Sequence, residues 1–270
     1  MVRKLMLFFL ATSVLVACSK NVITGRNQFK LVPESELQSM AVQEYRQFLS
    51  TNKVVTPSAD RDAEMVRRVG QRVSAAVQQY FKQQGLADQL EGYQWEYNLV
   101  ESKEANAWCM PGGKIVVYSG LLPITQNEAA LAVVVGHEVS HAIFQHGNER
   151  MSQGLAQQLG GTALSIAVSS QPAATQNLFM QAYGIGSQVG VLLPFSRKQE
   201  LEADRYGLRW AAMAGYNPRE AIPLWERMEK MAAGNKPPEF LSTHPSEGHR
   251  IEQLQKYMDD ALKYYKPVGK

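Results

Sequence analysis

Apolar residues recur at helical spacing over two long stretches near the start of the chain. From Pro33 to about Leu49 the recurring positions are Leu37, Met40, Ala41, Tyr45 and Phe48. After a break at Thr56-Pro57-Ser58, the segment from Asp60 to Phe81 repeats the pattern through Met65, Val69, Val73, Ala76, Val77 and Tyr80. A 3.6-residue period predicts two amphipathic helices, each with a stripe facing a core. Trp95 to Val100 and Lys114 to Ser119 are rich in aromatic and β-branched residues and read as strands, with Pro111-Gly112-Gly113 supplying turn chemistry between them. Ala129 to Val135 is apolar nearly all round, as expected of a helix running through the middle of a domain, with Thr125 or Asn127 as its N-cap. From Met151 to Leu193 two helix-like stretches flank Ser169-Ser170-Gln171-Pro172, which reads as an αα-hairpin, a helical lid being the alternative. Further helices are predicted over Tyr206–Met213, Arg219–Met231 and Gly248–Tyr265, with a loop from Gly234 to Pro238. The chain is therefore predicted to be α+β, mainly helical with a small sheet, and it contains no internal repeat.

The buried helix ends in His137-Glu138-Val139-Ser140-His141. Positions four apart on a helix differ by about 400°, so both imidazoles project from one face, one turn apart. That spacing suits two corners of a tetrahedral zinc site, one zinc per chain, and Glu138 is placed to act on a water as general base. A chance surface cluster is the bland reading. Only 5 His occur among 270 residues, and polar groups planted in so apolar a helix are costly without partners such as a metal. His146, nine residues past His137, falls on the opposite side of a continuous helix and is expected to lie outside the site. Phe144 and Gly147 stand where the long metzincin pattern needs Gly and His, which excludes that class.

A third ligand must come from elsewhere. Glu200-Leu201-Glu202-Ala203-Asp204 puts Glu200 and Asp204 on one helical face, with Glu202 about 200° from Glu200. Glu200 could bind the metal while Asp204 accepts the free ring N–H of a ligating histidine. Alone, the segment would read as a solvated acidic face beside Arg197, Lys198 and Arg205.

Taken together, Val22-Ile23-Thr24-Gly25-Arg26, Asn106-Ala107-Trp108-Cys109-Met110-Pro111-Gly112-Gly113, the HExxH segment, Glu200-x-Glu202-Ala203-Asp204 and Thr243-His244-Pro245 followed by Arg250 resemble metallopeptidase family forty-eight. The resemblance runs from about Asn21 to Arg250. It implies a zincin-type (gluzincin) domain with the sheet beside the HExxH helix, Glu200 as third zinc ligand and Asp204 as its partner one turn away. It also implies that Asn106 and Ala107 lie on a strand edge beside substrate and that His244 lies near the metal. Cys109 departs from the pattern, which has a small apolar residue there, and adds a thiol near the cleft. His244 has two candidate roles, as oxyanion donor in turnover or as a resting-state ligand; the donor role is the favoured one.

The N-terminus adds a location. Arg3 and Lys4 precede an apolar stretch from Leu5 to Val16, of signal-peptide length and too short to span a bilayer comfortably. Leu15-Val16-Ala17-Cys18 resembles a bacterial lipobox, which makes residues 1–17 a signal peptide, Cys18 a lipidated first residue and 18–270 a single metalloprotease domain. Ser19 after the cysteine points to the periplasmic face of the outer membrane. The formal charge of +3 falls by two when Arg3 and Lys4 leave, so no nucleic-acid partner is implied. With Cys18 acylated, Cys109 has no intramolecular disulfide partner. The expected function is a zinc endopeptidase that cleaves misfolded or misassembled envelope proteins. The second reading is a chaperone-like or peptide-binding lipoprotein with a latent zinc site.

The anchor has a direct test. Cys18→Ser is expected to yield a soluble or signal-retaining form, because acylation needs the thiol. Membrane fractionation and gel mobility identical to the parent's would remove the lipobox assignment.

Overall fold

A computed structural model of the protein describes residues 18–159, 172–183, 195–233, 238–244 and 249–267. Residues 1–17, expected as a signal peptide, residues 160–171 and 184–193 of the expected hairpin, residues 234–237 of the expected loop and Pro245 lie outside the described residues. Among the described residues no helix is long and apolar enough to cross a membrane.

The N-terminal residues form a small antiparallel hairpin, β1 (Cys18–Lys20) on β2 (Asn27–Phe29). Two long helices follow where the apolar stripes predict them, α1 (Glu34–Thr51) and α2 (Arg61–Gln83). Asp60 caps α2, its side chain accepting from the Ala63 amide at 2.9 Å. The sheet contains β3 (Val54–Val55), β4 (Glu96–Val100), β5 (Ala107–Met110) and β6 (Lys114–Tyr118) in the order β3-β4-β6-β5. The β4–β6 pair is parallel and the other two are antiparallel, which leaves β5 on the edge.

Both faces of this sheet are covered. Ile115 and Val117 of β6, with Ala107 and Cys109 of β5, pack into the main core. Val116 and Tyr118, with Trp108 and Met110, pack into a second core with Leu37, Ala41 and Tyr45 of α1. That is why β6 from Ile115 to Tyr118 reads as an unbroken apolar run with no polar alternation. Phe48 meets Trp108 edge-on, with centroids 5.0 Å apart.

After the short α3 (Leu122–Thr125), the central helix α4 spans Glu128–Ile143. Of the two cap candidates Asn127 fills the role, accepting from the Ala130 amide at 2.9 Å, whereas Thr125 ends α3. Next come α5 (His146–Leu159), α6 (Pro172–Ala182), α7 (Arg197–Met213), α8 (Ala221–Ala232), α9 (Glu239–Thr243) and α10 (Arg250–Leu262). Ser196 and Gln199 close a capping box at the start of α7, which sets where its acidic first turns begin.

α4 and α7 cross at a pair of glycines. A methyl group on Gly136 would meet the Gly207 carbonyl oxygen at 2.7 Å, and one on Gly207 would meet the His137 amide nitrogen at 2.8 Å. The backbones are in contact, and the Trp210 indole N–H donates to Ser140 Oγ at 3.0 Å just beyond the crossing. This contact holds the histidines of α4 against the acids of α7. Gly207→Ala is expected to cost about 1–3 kcal/mol by overpacking, read as a lower unfolding temperature, and to weaken metal binding as the two helices separate. Unchanged stability and metal content in that variant would show that the crossing has slack.

Candidate metal centre

Four ligand atoms converge where α4, α7 and the end of α9 meet. His137, His141, Glu200 and His244 are all buried and offer ligand atoms within 4.8 Å of one another. His137 Nε2 lies 3.0 Å from His141 Nε2 and 3.2 Å from His244 Nδ1. Glu200 Oε1 lies 3.3 Å from His141 Nε2 and 3.0 Å from His244 Nδ1. For bonds of 2.0–2.1 Å the edge of a coordination tetrahedron is about 3.3 Å, so the donor set has the right size for a zinc-like ion. Glu138 Oε1, buried and without a hydrogen-bond partner beside these ligand atoms, fits the same conclusion.

Around this cluster the side chains are oriented in pairs. Asp204 Oδ1 accepts from His137 Nδ1 at 3.0 Å, which leaves the Nε2 lone pair facing the cluster. Arg250 joins the acids of α7, donating to Asp204 Oδ1 at 2.6 Å and lying 2.9 Å from Glu200 Oε2, while its guanidinium stacks 3.6 Å above the Trp225 ring. Burial alone would raise the Glu200 carboxyl, but its contacts with His244, the Arg250 guanidinium, His137 and His141 hold it well below its ordinary range. Burial holds His137 and His141 well below the usual histidine value, so both rings are neutral, the form that binds metals. Glu138 is the opposite case: burial, reinforced by the negative charge of Glu200, pushes its carboxyl well above the usual range.

His244 is clamped between two rings. Phe240 stacks on it at 4.4 Å and Phe195 at 5.0 Å, and the Phe195 ring also lies 3.8 Å from that of His141. Its amide donates to the Phe240 carbonyl at 3.0 Å, and the Phe240 amide donates to the Ala105 carbonyl at 3.1 Å, which ties α9 to the strand beside the site. The ring spans two groups, with Nδ1 in the cluster and Nε2 3.5 Å from Glu138 Oε1. Asn106 and Ala107 stand at the start of the edge strand β5 and line a narrow cleft with Glu138, His141 and His244. Cys109 lines it as well, but its thiol is buried, and burial with the nearby Glu138 charge pushes it well above the ordinary value.

His146 stands outside the four-residue ligand cluster, as expected, but the structure corrects its placement on the opposite side of the helix. α4 stops at Ile143, and Gln145 takes a left-handed conformation with φ 56° before α5 begins at His146. Rotation counted along one continuous helix does not apply across this break. The His146 ring instead stands 4.9 Å from that of His141, with the two Nδ1 atoms 2.9 Å apart. Glu202, off the Glu200 face as expected, meets His146 Nε2 at 3.0 Å. Arg250 was visible in the sequence only as the end of a motif, and its burial between two acids was not. Nothing in Phe144-Gln145-His146 signals a helix break, since glutamine is not a habitual left-handed residue.

The sequence model of peptidase family M48 matches residues 63–258, which contain all four clustered residues and Glu138. The chain is similar to the mitochondrial metalloendopeptidase OMA1 of Arabidopsis thaliana, 38% identical over 181 residues, covering 66% of this chain and 35% of that one. Its similarity to the OMA1 of Schizosaccharomyces pombe is 33% over 245 residues, 88% of this chain and 66% of that one. It is also similar to the β-barrel assembly-enhancing protease of Yersinia pestis, 30% identical over 168 residues, covering 60% and 34%. The chain thus spans between about a third and two thirds of the length of these relatives. With the match running from α2 through most of α10 and across the whole ligand cluster, this chain belongs to peptidase family M48 and carries its metallopeptidase domain.

Proposed function

We propose that the protein is a zinc-dependent endopeptidase, anchored through a lipid on Cys18 at the periplasmic face of the bacterial outer membrane, that cleaves misfolded or misassembled envelope proteins. The observation that carries the catalytic part is the buried Glu138 carboxylate, its Oε1 without a hydrogen-bond partner, beside three ring nitrogens and a carboxylate at tetrahedral spacing. The lipobox-like N-terminus and the name of the Yersinia relative support the location and substrate class.

His137, His141 and Glu200 would hold the metal. Bound zinc supplies a Lewis acid that polarises the scissile carbonyl and acidifies water. Glu138, its carboxyl raised by burial, takes a proton from the attacking water and returns it to the leaving amine. The edge strand β5 offers backbone groups to an extended peptide, which gives sequence-tolerant binding suited to unfolded chains. Asp204 and Arg250 hold the His137 ring and the Glu200 carboxylate in place through the ion pairs between them.

His244 decides the state of the site. With its Nδ1 as the fourth member of the cluster and its Nε2 facing Glu138, the ring stands where water would enter. The latent-site reading is favoured by this arrangement, as a resting state of the enzyme. The presence of Glu138 favours catalysis over a purely structural site, which would not need it. The donor role in turnover needs this ring released from the cluster and turned toward the developing oxyanion.

Two sets of variants test this reading. His137→Ala, His141→Ala and Glu200→Ala are expected to lose zinc. Glu138→Gln should keep one zinc per chain while turnover of an unfolded protein falls by about 10²–10⁴-fold. Metal analysis showing full zinc in His137→Ala would end the assignment. His244→Ala separates the roles of that ring: a rise in basal cleavage marks a latch, and a kcat loss of roughly 10²–10³ marks a donor. An unchanged rate removes both.

A further inference from the structure

The N-terminal turn Asn21–Arg26 is built to hold one side chain. Asn21 Oδ1 accepts from the amides of Ile23 and Thr24, both at 3.0 Å, and the Asn21 amide donates to the Arg26 carbonyl at 2.8 Å, closing the loop. Gly25 takes a left-handed φ of 72° to complete it. Arg26 projects from this loop into a largely buried cluster of acids on two other elements. It donates through both terminal nitrogens to Glu149 of α5 at 2.7 Å and through Nε to Glu202 of α7 at 2.7 Å. This fork satisfies two carboxylates at once, a geometry lysine cannot reproduce.

From Glu202 the contacts run inward without a gap. Its Oε2 meets His146 Nε2 at 3.0 Å, and His146 Nδ1 meets His141 Nδ1 at 2.9 Å. The carboxylate of Glu202 only accepts, so His146 donates to it from Nε2–H. The neutral ring then presents a lone pair at Nδ1, and His141 must donate to it from its own Nδ1–H. That leaves the His141 Nε2 lone pair free and pointed at the ligand cluster. The same N-terminal segment also grips the helix break that brings His146 here: Gln28 Nε2 donates to the Phe144 carbonyl at 2.6 Å. Gln199 braces the arrangement from α7, donating to Glu149 Oε2 at 2.6 Å.

We propose that Arg26 is a positioning residue for the metal centre, setting metal affinity through Glu202, His146 and the His141 ring. Arg26 precedes the span that the family model matches, residues 63–258, so the tightness of the centre for metal is adjusted by the segment that follows Cys18. The inference rests on His141 being a zinc ligand, as argued under the proposed function.

The test is zinc affinity, measured by competition with a chromophoric chelator on the purified mature chain. Arg26→Ala and Glu202→Ala are each expected to bind one zinc about 10–100-fold more weakly than the parent. Arg26→Lys should recover little of that loss, and Arg67→Ala, at a half-buried arginine paired with Glu64 on α2, should bind as the parent does. Excess zinc should restore kcat of Arg26→Ala on an unfolded substrate with KM unchanged, which a general folding defect would not allow. Unfolding of the metal-free proteins is recorded alongside. Should Arg26→Ala fail to fold, Glu202→Ala decides. Parental affinity in the folded variants, or a lower unfolding temperature with unchanged affinity, overturns the inference. Failure of the parent itself to bind zinc overturns the zinc reading instead.

Discussion

The contact of Gly136 with Gly207 is where the two halves of the site are joined. A helix pair carrying ordinary side chains keeps its axes about 8–10 Å apart, with side chains filling the space between. Here two backbones touch instead, so ligands from α4 and α7 reach a common point without long, flexible side chains spanning a gap. His137 follows one glycine directly, and Asp204 sits one turn before the other. Their hydrogen bond at 3.0 Å therefore reports the crossing itself. Everything else described at the site is arranged around that fixed line.

Packing acids and histidines so deeply needs a compensating charge for each group. Arg250 supplies it for Glu200 and Asp204, and its own burial is eased by the Trp225 face. Arg150 lies over Phe195 in the same region, and burial brings its guanidinium down to about 9. Among the described acids of the cluster, Glu138 has no Lys or Arg in hydrogen-bond contact, and burial pushes its carboxyl up. Asp204, pushed up to about 6 by burial despite Arg250, is sustained as an anion by its contacts with that cation and with His137.

The legibility of the chain varied with how local each signal was. HExxH and the acidic segment could be read because helical periodicity converts spacing directly into shared faces, and both segments are regular helices. The long amphipathic helices were legible for the same reason. β3, with two residues, was too short to leave a periodic trace, and β5 was apparent only through the resemblance. The stretch Ala107–Met110 is buried on both faces, so it lacks the alternation that marks a half-exposed strand. His146 was misplaced because one left-handed residue without sequence signal resets the helical phase. Arg26 could not be assigned a partner from sequence, since its acids lie far along the chain on separate helices. Long-range pairing is a property of the tertiary fold and leaves no mark in local pattern.

The backbone crossing has a thermodynamic consequence. In small metal-dependent domains the ligands come together only when the ion arrives, so binding energy and folding energy are one quantity. In this chain the helices that carry the candidate ligands, α4, α7 and α9, all pack into the main apolar core. An ion then adds stability only by mass action, with the logarithm of its concentration over its dissociation constant. Holding the fold and holding the metal are thus separable properties, and substitutions can move one across decades while the other stays where it was.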